Sequence, residues 1–278
     1  MRLENKIAVV TAAGRGIGRA IALGLAEEGA DIVANSYQEE TTAAVVADIE
    51  ALGRKALGIA GDITEPEQIS KVIDAALSTF SRIDILVNSV GGGPKAPGKP
   101  AEGMLERLAS EWDGMYRQNL RAPVMMCQAV APHMVAQKSG KIVNIASVAG
   151  RNTYASNTSP VAYRAVKGGL IRYTQSLADQ LGPYNINVNA ICPGYVYTPN
   201  WEKGAKRMVE RPEYQNLSPK EWFDGLNRGK FPELATPTPL MREQTAEDIA
   251  NAAIFLSSEE GKNITGQTLN IDGGRHKN

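Results

Sequence analysis

The sequence predicts the α/β class, a doubly wound parallel sheet with helices on both faces. Three observations point to it. Short Val- and Ile-rich runs recur along the chain without polar alternation, longer amphipathic patterns separate them, and the first run leads straight into a glycine cluster that opens a helix.

The strand candidates are Ile7–Thr11, Asp31–Ser36, Ala56–Ala60, Ile83–Asn88, Lys141–Ala146, Asn187–Ile191 and Thr268–Ile271, enough for a seven-stranded sheet. Between them, Ile69, Val72, Ile73, Ala76, Leu77 and Phe80 share one helical face; so do Ile17, Ala20, Ile21, Gly24 and Leu25, and again Ile249, Ala252, Ala253 and Leu256. Right-handed crossovers between parallel strands place such helices on both sides of the sheet. No linker divides the chain, so residues 1–278 are expected to form one domain. Pro199 to Arg242 fits this pattern badly, with Pro212, Pro219, Pro232, Pro237 and Pro239 beside Trp201, Trp222 and Phe223. It reads as one or two short helices plus loops, a lid insertion at about 199–240 over the site. Gly91 to Gly103 is a second irregular stretch.

Composition narrows the partners. Thirty basic and thirty acidic side chains cancel and do not cluster, which argues against nucleic acid and charged membrane surfaces. The longest apolar stretch, around Ala122 to Ala136, is interrupted by Gln128, Pro132 and His133, and Ile7 to Ala13 is too short to span a bilayer or serve well as a secretory signal. A cytoplasmic protein is expected. Cys127 and Cys192 read as buried packing, and no metal site is expected.

The first strand runs into Thr11-Ala12-Ala13-Gly14-Arg15-Gly16-Ile17-Gly18. Glycines there allow a tight turn and close approach of backbone N–H groups to a pyrophosphate, which the following helix N-terminus favours. Between the first strand and first helix of a βαβ unit, this is the Rossmann-type dinucleotide turn, with Gly14, Arg15, Gly16, Ile17 and Gly18 as its contacts. An NAD site usually has an acid at the end of the second strand. Here that end reads Ala34-Asn35-Ser36-Tyr37, so Asn35 and Ser36 leave room for a 2′-phosphate that Arg15 can pair with. NADP is favoured over NAD, with Glu39 as the competing acid.

The fifth strand ends at Ser147, at the carboxyl edge where open α/β sheets bind ligands, and Tyr163 and Lys167 follow four apart on a predicted helix. A phenol is a poor acid or base near neutral pH, and a neighbouring ammonium favours its phenolate. Tyr163 would then exchange a proton with a carbonyl or alcohol oxygen as hydride moves, while Ser147 hydrogen-bonds that oxygen.

Taken together, these features resemble the short-chain dehydrogenases/reductases, in their single-domain branch. The match runs in order through the glycine turn, Asp62, Asn88 and Gly91, Asn119, Ser147, Tyr163 and Lys167, Pro193-Gly194 with Thr198, and Gly266 through Asp272-Gly273-Gly274. The resemblance implies an NAD(P)-dependent oxidoreductase acting on a CH–OH group or carbonyl, of a sequence type like the 3-oxoacyl reductases. It implies that Asn119 kinks its helix and holds a water in a proton relay from Lys167, and that Lys167 also bonds the nicotinamide ribose. Asp62 and Ile63 would flank the adenine, Asn88 and Gly91 line the cleft, and Pro193, Gly194, Val196 and Thr198 hold the carboxamide. It implies a homotetramer in which Ala122–Ala136 and Leu170–Leu181 pack on symmetry mates. Three departures stand out: Ala12 replaces the first loop glycine, Asn88-Ser89-Val90-Gly91 replaces Asn-Asn-Ala-Gly, and the gap from Ser147 to Tyr163 is lengthened at Arg151 to Ser159.

The substrate pocket is expected between Gly91–Pro100, Arg151–Ser159 and Pro199–Pro239, with Trp201, Trp222, Phe223, Tyr154 and Tyr195 suiting a bulky cyclic or aromatic small molecule. The competing reading makes Trp222 and Phe223 mere anchors of the lid helix. Arg151, Arg164 and Lys203 are candidates for an anionic substrate group, though exposed basic residues seldom play that part. Two other functions use the same scaffold: a non-catalytic NAD(P)H sensor, and a lyase or epimerase. The sensor has no need of Asn119, Ser147, Tyr163 and Lys167 together.

Overall fold

The structure is a computed structural model that describes residues 1–92, 109–151 and 161–277. Strands and helices alternate: β1 (Ile7–Val10), α1 (Gly16–Glu27), β2 (Asp31–Ser36), α2 (Glu39–Ala51), β3 (Ala56–Ala60), α3 (Pro66–Phe80), β4 (Ile85–Asn88), α4 (Ala109–Tyr116), α5 (Ala122–Gln137), β5 (Gly140–Ile145), α6 (Val161–Leu181), β6 (Ile186–Pro193), α7 (Pro199–Val209), α8 (Pro219–Asn227), α9 (Ala246–Ser257) and β7 (Thr268–Ile271). All seven strands are parallel, in the order β3-β2-β1-β4-β5-β6-β7. The strand order reverses between β1 and β4, which opens a crevice at their carboxyl ends.

The expected alternation and seven-strand count are therefore present, with strand ends displaced by a residue or two. The largest extension is β6, which stays in register with β7 as far as Pro193. Because successive side chains of a strand point to opposite faces, β1 feeds two cores. Ala8 and Val10 join Ile21, Leu25, Ile249 and Ile254 on one side, while Val9 joins Val72, Ile73, Met126 and Val130 on the other. Each fully buried Ile or Leu contributes about 1.5–3 kcal/mol to holding its helix on the sheet. Gly24 lets α1 approach α9, since a Cβ there would lie 3.0 Å from Ile254 Cδ1.

Candidate active site

The glycine turn lies at the crevice, and its backbone geometry explains its composition. A Cβ on Gly14 would stand 2.3 Å from Ser36 Oγ and 2.7 Å from Thr41 Oγ1, and one on Gly18 would stand 2.2 Å from the Ala12 carbonyl oxygen. Gly16 has φ +55, a left-handed conformation, and a Cβ there would lie 3.5 Å from Thr198 Cγ2. The turn from β1 and the segment after β6 thus confront each other across a narrow gap. No side chain caps the start of α1 and its first turn carries no acid, so its N–H groups are suited to an anion. These residues fit a dinucleotide pyrophosphate. Thr11 fixes the floor of the gap: its hydroxyl accepts from Ser89 N (3.0 Å) and Val90 N (3.2 Å), tying β1 to the end of β4.

The four residues expected to do chemistry converge beside this gap. Asn119 sits in a π-helical turn, Arg117–Arg121, between α4 and α5. That wider turn lets the fully buried Asn119 side chain fold inward, where Nδ2 donates to Gly92 O (3.1 Å) and Met115 O (3.2 Å) and Oδ1 accepts from Gly92 N (3.0 Å). A Cβ on Gly91 would meet Lys167 Nζ at 2.9 Å and Asn119 Oδ1 at 3.0 Å, so Gly91 leaves open the space between those two groups. Lys167 Nζ donates to Ile145 O at 2.8 Å and lies 5.9 Å from the centre of the Tyr163 ring. Ser147 accepts from Ala149 N at 3.1 Å, and its hydroxyl is hydrogen-bonded to Tyr163.

The electrostatics differ from the expectation of a phenolate favoured by lysine. Burial pushes the Tyr163 phenol above its ordinary range, and the Ser147 hydrogen bond only partly opposes this. Burial likewise pushes Lys167 down to about 8. In the protein alone, then, desolvation governs both groups: Tyr163 is a protonated donor, and Lys167 titrates far closer to neutrality than a free lysine.

Some expected contacts are placed elsewhere. Asn88 does not reach the crevice with its side chain. It is fully buried, donating to Asn144 Oδ1 (2.9 Å) within a polar chain that continues from Asn144 Nδ2 to Thr174 Oγ1 (2.9 Å). Asn35 turns toward β3, donating to Ile59 O (2.9 Å) and Gly61 O (3.3 Å), whereas Ser36 stays beside Gly14 and bonds Thr41 Oγ1 at 2.9 Å. Thr41, one turn into α2, was not singled out from the sequence. Asp62 Oδ1 accepts from Thr64 N and Oγ1, and Ile63 is buried next to it. Val196 is buried and bridges to Gln244. Arg151 is half-buried and tied to β7, its Nη1 bonded to Thr268 O (2.9 Å) and Asn270 Oδ1 (3.0 Å). Pro94, Pro97, Pro100 and Tyr154, with most of the two pocket walls they belong to, lie outside the described residues.

The proline-rich stretch contains two short helices, as its sequence suggested. Thr198 caps α7 and Pro199 opens it; Ser218 and Glu221 form a reciprocal capping box for α8, with Pro219 in the first turn. Trp222 and Phe223 are buried in a small core of this unit, with Ala205, Leu226 and Ala235, so they anchor the helices rather than line a pocket. Trp201 and Tyr195 are only partly covered, their rings 4.9 Å apart.

A dinucleotide crevice beside a Ser–Tyr–Lys–Asn group, with Lys167 and Asn119 buried and Ser147 and Tyr163 partly open to it, defines a nicotinamide-dependent oxidoreductase. The family model for short chain dehydrogenases matches residues 6–208, and a second, described as enoyl-(acyl carrier protein) reductase, matches residues 225–276. The chain is 34% identical over 275 residues to a 3-oxoacyl-[acyl-carrier-protein] reductase of Thermotoga maritima, covering 99% of both chains. Among solved structures, L-sorbose reductase from Gluconobacter frateurii complexed with NADPH and L-sorbose superposes with a TM-score of 0.86 at 29% identity, covering 100% of both chains. A 7α-hydroxysteroid dehydrogenase complexed with NADH and 7-oxo glycochenodeoxycholic acid gives 0.79 at 32% identity, covering 100% of this chain and 97% of that one. The chain belongs to the short-chain dehydrogenase family, and it is an NAD(P)-dependent oxidoreductase that interconverts a carbonyl and an alcohol.

Proposed function

We propose that the enzyme prefers NADP and acts on a bulky cyclic carbonyl or secondary alcohol, with Tyr163 as proton donor and acceptor. The observation that carries the catalytic reading is the Ser147–Tyr163 hydrogen bond, with Lys167 one helical turn away and anchored on Ile145 O. When bound, the nicotinamide cofactor supplies or accepts the hydride. Tyr163, protonated in its buried setting, gives its proton to the forming alkoxide, and Ser147 hydrogen-bonds the same oxygen. Lys167 replenishes the proton, and Asn119, facing Lys167 across the space beside Gly91, holds the water of the relay. Gly14, Arg15, Gly16, Ile17 and Gly18 hold the pyrophosphate, Asp62 and Ile63 flank the adenine, and Pro193, Gly194, Val196 and Thr198 orient the carboxamide.

The NADP preference rests on Ser36, which lies against Gly14 with no acid at the end of β2, and on the exposed Arg15 at the start of α1. The α7–α8 unit covers the substrate as a lid, with the half-buried Trp201 and Tyr195 as its apolar contacts. The relative bound to a 7-oxo bile acid supports a bulky cyclic substrate. A 3-oxoacyl thioester is the second reading, favoured by the identity to the Thermotoga enzyme. The enzyme assembles through α5 and α6 into a homotetramer, which size-exclusion chromatography with light scattering would read directly.

The test is oxidation and reduction of nicotinamide, followed by absorbance, across cyclic ketones, sugars, secondary alcohols and 3-oxoacyl thioesters. Turnover of a cyclic ketone at higher kcat/KM with NADPH than with NADH is the expected result. Binding of cofactor without turnover of any of them would favour a sensor. Ser36→Asp is expected to shift the ratio of specificity constants toward NADH by tenfold or more, about 1.4 kcal/mol; an unchanged ratio would remove Ser36 from the cofactor site.

A further inference from the structure

The chain turns sharply after β7. Asp272, buried at the strand's end, accepts through Oδ1 from Gly274 N (2.9 Å) and through Oδ2 from His276 N (2.7 Å), with His276 Nδ1 2.9 Å from the same oxygen. Gly273 and Gly274 take φ +65 and +81, and Leu240 N donates to Gly273 O at 3.2 Å. Burial alone would raise the Asp272 carboxyl, but these hydrogen bonds outweigh it and hold the group below its ordinary range.

This turn aims Arg275 back toward the site. Its guanidinium carbon lies 4.0 Å from the centre of the Tyr195 ring, and Nη2 reaches Leu226 O (3.4 Å) and Asn227 Oδ1 (3.3 Å) at the carboxyl end of α8. Tyr195 directly follows Pro193-Gly194, and its ring meets Trp201 of α7 at 4.9 Å. One side chain therefore touches the end of β6 and the end of α8, and reaches α7 through Tyr195. A cation is favoured at a helix carboxyl end, and a guanidinium stacks well on a phenol face. Arg275 is nevertheless costly: burial lowers its pKa more than Tyr195 and the nearby Asp272 charge raise it, its Nε and Nη1 are buried without hydrogen-bond partners among the described residues, and no described carboxylate lies within ion-pair distance of it. A plain structural filler would not need a charge there.

We infer that Arg275 is a positioning residue that fixes the α7–α8 unit against the end of β6, so that residues 272–276 set how tightly substrate is held. The inference rests on the reading of α7–α8 as the substrate cover.

The test uses full-length Arg275→Ala and Arg275→Lys. It measures NADPH affinity by fluorescence titration, KM and kcat for the best carbonyl of the panel, and the rate of limited proteolysis within residues 199–240. For the alanine variant, NADPH affinity stays within about twofold while the carbonyl KM rises about tenfold, with a smaller change in kcat. Cleavage within 199–240 accelerates. Lysine, which keeps the charge without the planar fork, restores part of both effects. Unchanged KM and proteolysis would overturn the inference, as would a parallel loss of cofactor affinity and turnover, the mark of a general structural role. Should the alanine variant fail to fold, Arg275→Lys and Asn227→Ala are expected to show the same selective rise in KM, and its absence in both overturns the proposal. If the wild-type enzyme turns over no carbonyl, the cover reading falls, whereas faster cleavage of the variants would still place Arg275 as the strut.

Discussion

Ser147, Tyr163 and Lys167 are held by the main sheet and the helix packed on it, whereas Trp201, Trp222 and Phe223 are held mostly by one another. On the first side, Lys167 is anchored to the backbone of β5 and Asn119 to the backbone at Met115 and Gly92, so each polar group is fixed by a buried main-chain partner. On the second side, α7 and α8 share a small aromatic core in which Tyr197 and Phe223 lie 5.1 Å apart and Trp222 stacks on Phe231 at 6.2 Å. That core is separate from the two clusters that flank the sheet. Proton transfer requires atoms placed to a fraction of an ångström, while substrate selection tolerates a unit that moves as a body.

The largest expected effect breaks the first side only. Tyr163→Phe removes the oxygen proposed as acid and base, and is expected to lower kcat by about 10²–10⁴-fold with NADPH affinity kept. Single-turnover absorbance measurements check it, and near-normal turnover would move the proton chemistry to another group.

On the second side, Phe223→Ala empties a fully buried position and should cost the α7–α8 core about 3–5 kcal/mol. Because that core is separate, the carbonyl KM is expected to rise while NADPH affinity and the main calorimetric transition change little. A single transition lowered by the whole amount would show that the unit is part of the body after all.

The contrast also has a pH signature. Lys167, at about 8 in the folded chain, loses its proton as pH rises past that value, whereas Tyr163 stays protonated. Carbonyl reduction should hold level below about pH 8 and then fall about tenfold per unit, while alcohol oxidation, for which Tyr163 is the proposed base, gains with pH. The stability linkage has the opposite sense to the reduction rate. A lysine whose pKa is lowered by folding costs stability while charged, below about 8, and that cost fades as pH rises toward its ordinary 10.5. A flat reduction profile from pH 7 to 9.5 would mean that the Lys167 charge does not limit the reaction.

The sheet was legible in the sequence because parallel strands buried on both faces leave uninterrupted Val/Ile runs, as at Ala8–Val10 and Ile142–Val143. The convergence of Ser147, Tyr163 and Lys167 was legible because strand-end position and helical spacing are local properties. What a side chain does once it arrives was less so. Asn88 and Asn35 lie beside the crevice in sequence, yet both spend their amides on neighbouring strands, a choice set by partners at Asn144 and Ile59 that lie far away along the chain. The direction of the Tyr163 shift is hidden for a related reason: a four-residue spacing announces a nearby ammonium but not the desolvation that raises the phenol.

The smallest effect is expected on the body side, at Ala12. It adopts φ +52, a left-handed conformation that strains a residue with a Cβ by about 1–2 kcal/mol. Glycine would relieve that strain, but it would lose the packing of a methyl that is partly buried against the cluster containing Val9 and Val33, about 0.8 kcal/mol, and would add freedom to the unfolded chain. These opposing quantities leave a net gain for Ala12→Gly of about 0.5 kcal/mol or less in the main unfolding transition, measured by urea titration. NADPH affinity should be unaltered, because the carbonyl that Ala12 directs onto Gly18 keeps its place. A loss exceeding about 1 kcal/mol would mean that the methyl contact outweighs the strain and that packing, rather than backbone freedom, selects alanine at the start of the cofactor turn.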